Sequence, residues 1–433
     1  MVQKNINLYW TKTAKQCILA CISSKNWIFG GFGMYVRQKY INRIIPFIDN
    51  PVIKIITGIR RSGKSTIMIQ LLNHLKDSGV NSEKIIYINM ESLDNSRFLD
   101  IHELHKFVRE QKIKTGGKIY LFIDEVQEIP DWEKVVNSFF ADDDADIFIT
   151  GSNSKLLSGE LATLLAGRYV EFNVYPLVFS EFSAVIKNKS EIIPRFNQFL
   201  KYGGMPGIHH LQFEEPNIYQ YLSSIRDSVV LKDVISRNNI RDIDLLNKII
   251  AFVFDNAGNV MSSRKVAEFF KNERRSVGHE TILNYLDYLE SAFIIKRVPR
   301  YDLKGKKLLE TNEKIYLTDI GLRHALFGYR EKDISLFLEN IVFIELKSRG
   351  YDVKIGKIDD FEVDFIAERT GEKMYIQVCY LLTDEAVRNR ETRPFFKIND
   401  NFPKYLLTMD TIPESSEDGI IRRYLPDWLM ENQ

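Results

Sequence analysis

The 433 residues are 45% apolar and 27% charged, which is the composition of a globular chain and excludes a disordered one. Lys plus Arg number 59 against 58 acidic residues, so bulk charge cannot hold this protein on nucleic acid or anionic lipid, and such a partner must meet a local patch. Three cysteines make no disulfide framework, which points to a reducing, cytoplasmic setting, and no stretch approaches the ~20 apolar residues of a membrane span.

At about 150 residues per domain, the length fits roughly three domains. Residues 1–33 do not read as one of them. Their apolar segment, 17–22, is short and is interrupted by Ser23, Ser24, Lys25 and Asn26. Cys17 and Cys21 have no nearby His or Cys to complete a metal site. We expect an unstructured or wrongly assigned extension, with Met34 as the biological start. From 34 to 174, short apolar runs at 52–56, 85–88, 119–123, 147–149 and 170–174 alternate with helical stretches. That pattern predicts a parallel sheet covered by helices on both faces, the α/β class. Residues 175–240 read as helical, a lid on that sheet. From 241 to 327, three helical patterns precede a basic, strand-like pair. From 328 to 433 a helix is followed by strands again.

One motif carries most of the chemistry. Gly58, Ile59, Arg60, Arg61, Ser62, Gly63, Lys64 and Ser65 spell G-x-x-x-x-G-K-S, directly after an apolar strand and before a helix that Thr66 continues. This is a P-loop in the context the motif requires. Its backbone N–H groups can wrap a polyphosphate at a helix N-terminus. Lys64 is expected to neutralise the β and γ phosphates, and the Ser65 hydroxyl to ligate Mg²⁺. Asp124 ends the third strand at the carboxyl edge of the sheet, where ligands of open α/β folds bind; we expect it to support Mg²⁺ through water. Glu125 follows and can polarise the attacking water. The strand between the two motifs, the adjoining glutamate and the lack of an N-K-x-D-like guanine reader favour ATP. After the fourth strand, Ser152 and Asn153 are candidates to sense the γ phosphate or orient the water, with a helix N-cap as the competing role. Arg168, before the fifth strand, is a candidate finger supplied to a neighbouring subunit, with a plain ion pair as its alternative.

The series GIRRSGKST, FIDEVQ, TGSNSKLL, LAGRYVEF, YPLVFSEF and YGGMPGI resembles a bacterial and archaeal family of AAA-type ATPases that share a C-terminal domain of unknown function. The resemblance runs from about Met34 to about Asp410. It implies an AAA-like core, a helical lid and ATP binding, and it supplies no biological role.

Residues 241–327 look like a winged helix-turn-helix. Its wing holds Lys296, Arg297, Arg300, Lys304, Lys306 and Lys307 against Asp302 alone, and Arg274 and Arg275 precede the third helix. Such a patch can follow phosphates without reading bases, yet Glu280, Asp287 and Glu290 on that helix would repel them. DNA and a protein are both candidate partners. Residues 328–433 resemble a PD-(D/E)XK nuclease core: Glu339 opens a helix, Asp364 starts a strand, and Gln377 and Cys379 stand where the pattern wants Glu-x-Lys. Gln377 is a poor Mg²⁺ ligand and Cys379 has no cationic head. Lys347 is the nearest substitute for the lost lysine. A degenerate domain kept for binding or packing is expected.

The sequence therefore reads as a Mg²⁺-dependent ATPase whose nucleotide state controls a C-terminal DNA- or protein-binding module, with a homo-oligomer as a candidate assembly. The rivals are a nucleotide-gated switch with negligible hydrolysis, and a DNA-processing enzyme with a residual nuclease domain.

Overall fold

The run Ile-Lys-Ile-Ile-Thr forms β1 (Ile53–Thr57), in which every residue is buried. β-branched side chains on both faces suit a strand sandwiched between helices. The structure is a computed structural model that describes residues 35–157, 165, 167–186, 191–211, 213–273, 277–411 and 415–431. Residues 1–34, with Cys17, Cys21 and Met34, and the pair Arg274 and Arg275 lie outside that set.

After α1 (Gln38–Ile44) and β1 come α2 (Lys64–Asp77), β2 (Ile85–Asn89), α3 (Ile101–Thr115), β3 (Ile119–Asp124), α4 (Trp132–Ala141), β4 (Ala145–Gly151) and β5 (Tyr169–Asn173). The five strands form one parallel sheet ordered β2-β3-β4-β1-β5. Alternation along the strands splits the core in two. Ile53, Ile55, Leu121, Ile123, Ile147 and Ile149 pack on one face with Leu104, Val108 and Phe139 of α3 and α4. Ile56, Phe122, Phe148 and Phe172 pack on the other with Ile67, Met68 and Leu71 of α2. Lys54 shares that second face, fully buried, paired with Asp146 and 4.9 Å over the Phe148 ring. β4 lies between β1 and β3, with Ile56 beside Thr150 and Ile123 beside Ile149. The end of β4 therefore separates the loop after β1 from the acids after β3.

The helical region holds α5 (Phe179–Val185), α6 (Ile192–Tyr202) and α7 (Glu215–Val229), and α7 runs into a π-helical turn, Val230–Ser236. Next come α8 (Ile243–Asp255), β6 (Val260–Met261), α9 (Ser263–Asn272), α10 (His279–Ser291), the hairpin β7 (Ile295–Asp302) and β8 (Lys307–Leu317), and α11 (Ile320–Phe327). Asp242 and Ser262 cap α8 and α9 by accepting the Leu245 and Lys265 N–H groups at 3.0 and 3.3 Å.

The last stretch is α12 (Ile334–Ser348), β9 (Asp352–Ile358), β10 (Phe361–Arg369), β11 (Glu372–Cys379), α13 (Glu385–Phe396), β12 (Lys404–Thr408), β13 (Ser415–Glu417), β14 (Ile420–Tyr424) and α14 (Leu425–Met430). β7 pairs in parallel with β9, so the hairpin and this stretch share one nine-stranded sheet that crosses position 327/328. Two local expectations change. Glu339 does not open its helix but stands in the second turn of α12, because the apolar residues from Ile334 extend the buried face toward the N-terminus. Asp364 does not start its strand: β10 begins at Phe361 and continues through a register shift between Val363 and Ile366. The pairing with β9 adds the residues whose alternation the sequence hides.

Candidate nucleotide site

The loop between β1 and α2 is shaped by its glycines. Gly58 has φ +143°, and a Cβ there would lie 2.2 Å from the Val174 carbonyl oxygen. Gly63, at φ +99°, turns the chain into α2. Lys64 is the first residue of that helix, and its buried ammonium donates to the Gly58 and Ile59 carbonyls at 3.0 and 3.2 Å. The Ser62 hydroxyl is buried with no hydrogen-bond partner among the described residues. Ser65 and Thr66 occupy the first turn beside Lys64, half-buried. A cradle too tight for a side chain, an orphaned hydroxyl and an ammonium turned onto carbonyls fit a polyphosphate.

Arg37 braces this loop from the N-terminal side. Its guanidinium donates to the Ser62 and Tyr175 carbonyls at 3.0 and 2.9 Å, and to both oxygens of Glu181 at 2.9 and 2.6 Å. Nothing in the sequence marks Arg37, which lies 25 residues from Ser62 and 144 from Glu181.

The acids follow β3. Asp124 accepts the Tyr87 hydroxyl at 2.8 Å through one oxygen and the Thr150 hydroxyl through the other. Thr150 Oγ1 in turn accepts the Glu125 N–H at 2.9 Å. Glu125 adopts the left-handed region, φ 55°, which turns its side chain back to within 3.9 Å of the Lys64 ammonium. Gln127 donates to its other oxygen. Burial pushes Glu125 up, but Lys64 and Arg60 outweigh it and hold the carboxyl below the usual range. Burial pulls the Lys64 ammonium down, against the opposing pull of Glu125 and Asp124. A hydroxyl at Ser65 and a carboxylate at Asp124 are oxygen donors of the kind a hard divalent cation takes.

The helical region closes one side of the site. Arg60 donates to Asp233 Oδ2 at 3.1 Å and contacts Glu91 at 2.7 Å. The other Asp233 oxygen accepts the Ser152 hydroxyl at 2.9 Å and lies 3.2 Å from Arg237. Asp233 is fully buried. It sits on the π-helical turn, an irregularity often found at functional positions, and 173 residues separate it from Arg60. Sequence reading missed it.

Lys64, Asp124, Glu125, Ser152 and Asn153 thus gather at one edge of the sheet. Asn153 is buried, and its carbonyl accepts the Leu156 N–H at 3.2 Å to start a short turn, Ser154–Leu157. The helix expected beyond that turn falls largely outside the described residues. Arg168 stands elsewhere. Its carbonyl accepts the N–H of Ile53, the first residue of β1, and its guanidinium bonds Asn137 at 2.6 Å. That is the opposite sheet edge from the loop, about 16 Å away at roughly 3.3 Å per strand residue.

Among the basic residues of the β7–β8 hairpin, expected to form a wing, Arg297 bonds Glu290 at 2.7 Å and Asp287 at 2.5 Å. Arg300 lies 3.6 Å from Glu362, and Lys304 lies 2.5 Å from Asp359. Lys306 and Lys307 are exposed at the hairpin turn.

An AAA domain model matches residues 50–183, and the model of a domain of unknown function matches 193–333. An uncharacterized protein of Haemophilus influenzae is 39% identical over 401 residues, covering 92% of this chain and 99% of that protein. The chain belongs to this family of AAA-type P-loop ATPases. The family reaches the archaea: an uncharacterized protein of Methanocaldococcus jannaschii is 33% identical over 382 residues, covering 83% of this chain and 82% of its own length. Among solved structures, a Walker-type ATPase of Pyrococcus abyssi aligns with 68% of this chain and 96% of its own, at 13% identity and a TM-score of 0.45. No described helix of this family member is long and apolar enough to cross a membrane.

Proposed function

We propose that this protein is a Mg²⁺-dependent ATPase whose nucleotide state is passed to its C-terminal part. The observation that carries this reading is the buried pair Lys64 and Glu125, 3.9 Å apart across the mouth of the phosphate loop. A triphosphate entering there offers Lys64 a stronger partner than two carbonyls, which frees Glu125 to take a proton from water. Thr150 and Gln127 hold that carboxylate and its backbone in place. Mg²⁺, held by Ser65 directly and by Asp124 through water, would supply charge neutralisation on the phosphate oxygens. Ser152 and Asn153 line the same edge as the groups that sense occupancy.

Lys64→Ala is expected to abolish ATP binding or turnover. Glu125→Gln is expected to keep ATP binding and lower the turnover rate by about 10²–10⁴, the usual worth of a general base. A steady-state ATPase assay with parallel binding measurements checks both, and unchanged turnover in the two variants would refute the assignment.

Arg60 and Asp233 form the route outward in this reading. A guanidinium drawn to phosphate cannot keep its full contact with Asp233, so nucleotide loosens the π-helical turn and shifts the balance between lid states. For the partner of the C-terminal part, a protein is the better reading than DNA, because Arg297, Arg300 and Lys304 are already spent on carboxylates. Duplex binding that falls steeply with added salt would assign the wing to phosphates instead.

A further inference from the structure

Far along the chain from the phosphate loop, three carboxylates converge: Glu339 of α12, and Glu362 and Asp364 of β10. On the nuclease-like reading of this stretch, Glu339 and Asp364 stand where a divalent ion would be held, and the structure adds Glu362 beside them. The group they surround is Lys314 of β8. Its ammonium lies 2.8 Å from Glu339 Oε1, 2.7 Å from Glu362 Oε1 and 3.9 Å from Asp364 Oδ1. Tyr316, on the same face of β8, donates its hydroxyl to Glu339 Oε1. The remaining oxygen of Asp364 accepts the Val378 N–H at 2.8 Å. Gln377 turns both ends of its amide inward, accepting the Asp364 N–H at 3.3 Å and donating to Glu391 at 3.0 Å. Burial opposes the charge on Lys314, yet Glu339, Asp364 and Glu362 together hold its pKa above the ordinary value. Burial and the nearby Glu339 push Asp364 well above the usual carboxylate range. Among the described residues, no group of three or more His, Cys, Asp or Glu side chains has a geometry that could hold a metal. With the Lys314 ammonium seated among them, these residues do not fit the ion.

We propose that the Lys314 ammonium occupies the position of the divalent ion among Glu339, Glu362 and Asp364, as an internal cation that clamps the β7–β8 hairpin to the 334–431 stretch and leaves that stretch without metal-dependent cleavage. An ammonium is a compact point charge with three donors, and its tether to β8 keeps it at a local concentration that free magnesium does not match. Arg300 of β7, 3.6 Å from Glu362, is a second tie, and the β7–β9 pairing is a third. The expected substitute, Lys347, is not part of the cluster: it is pulled down by burial and faces Asp352 and Lys296. The inference is independent of the ATPase reading.

The test uses the full chain without nucleotide, titrated with Mn²⁺ and followed by EPR of the free ion and by thermal unfolding. Wild type and Asp364→Asn are expected to bind equal amounts of Mn²⁺ and to respond equally to EDTA. An Mn²⁺ ion held by wild type and lost in Asp364→Asn would overturn the proposal, as would Mn²⁺-dependent nicking of supercoiled DNA that this variant loses. Lys314→Ala is expected to unfold at lower temperature in EDTA and to recover part of the loss in Mn²⁺, with no recovery in Lys314→Ala/Asp364→Asn. A folded Lys314→Ala protein indifferent to metal would equally overturn it. Should Lys314→Ala not fold, the comparison of wild type with Asp364→Asn decides alone.

Discussion

Thr150 holds the two acids of the phosphate site by a single hydroxyl, giving its proton to Asp124 and receiving the Glu125 N–H. The arrangement fixes a strained left-handed turn at Glu125 and aims its carboxylate at Lys64. A second acid acts on stability. Asp319 caps α11 and accepts the Gly204 and Leu322 N–H groups at 2.6 and 3.3 Å, fully within the core. A Cβ on Gly204 would meet the Leu177 carbonyl oxygen at 2.0 Å, so the paired glycines of YGGMPG let the chain close on Asp319. Burial outweighs those hydrogen bonds and pushes its pKa up to about 6. The folded state therefore holds this proton more tightly than the unfolded chain does. Its stabilising contribution is complete below about pH 4 and is lost as pH rises through about 6, a change on the order of 3 kcal/mol. Asp319→Asn cannot ionise. The gap in unfolding free energy between wild type and Asp319→Asn, measured in urea across that range, should move by this amount against wild type as pH rises. Parallel pH curves would show the carboxyl is not raised.

The turn Val230–Ser236 is where the helical region touches the phosphate loop. Asp233 joins Arg60 to Ser152 there, so three parts of the chain meet on one buried carboxylate. A π-helical turn has poorer backbone hydrogen bonding than the α7 helix before it and opens more readily. A non-hydrolysable ATP analogue should speed amide hydrogen exchange over Val230–Ser236 in wild type. Asp233→Asn should exchange at the faster rate without nucleotide. Equal exchange with and without the analogue, read by mass spectrometry, would remove this turn from the route. The buried ion pair Lys54–Asp146 has a different role. Burial pulls Lys54 down and Asp146 up, and the pair crosses β1 and β4 at the sheet end remote from the loop, where it serves register and packing.

Across the molecule, the large core shared by the helical region, the hairpin region and α12 joins segments that the sequence reads as separate. The nine-stranded sheet does the same through β7 and β9. Motion at Asp233 would therefore reach the C-terminal stretch through packed helices rather than a linker. Arg168 raises the question of assembly. It stands at the sheet edge away from its own loop and bonds Asn137 there, so the finger role expected of it would need a neighbouring copy. ATP turnover per chain should rise with protein concentration in wild type, and Arg168→Ala should lower the saturated rate by on the order of 10³–10⁵. Turnover independent of both would leave Arg168 as a structural residue of its own chain, bonded to Asn137.

The P-loop, the acid pair and the five-strand alternation were legible in the sequence because each depends on neighbours within a few residues: a turn that only glycine tolerates, a strand that ends in carboxylates, a period of apolar side chains. The helical region and the order of the later elements were legible for the same reason. The braces were not. Arg37, Asp233 and Lys314 look like ordinary surface charges in one dimension, and each acquires its meaning from a partner 25 or more residues away. The basic hairpin shows the converse, since Arg297 and Arg300 of that run of cations became members of ion pairs once α10 and β10 packed beside them. Local backbone chemistry thus determined the kind of protein, while the pairing of buried charges, which depends on distances only the fold creates, was decided by the tertiary structure.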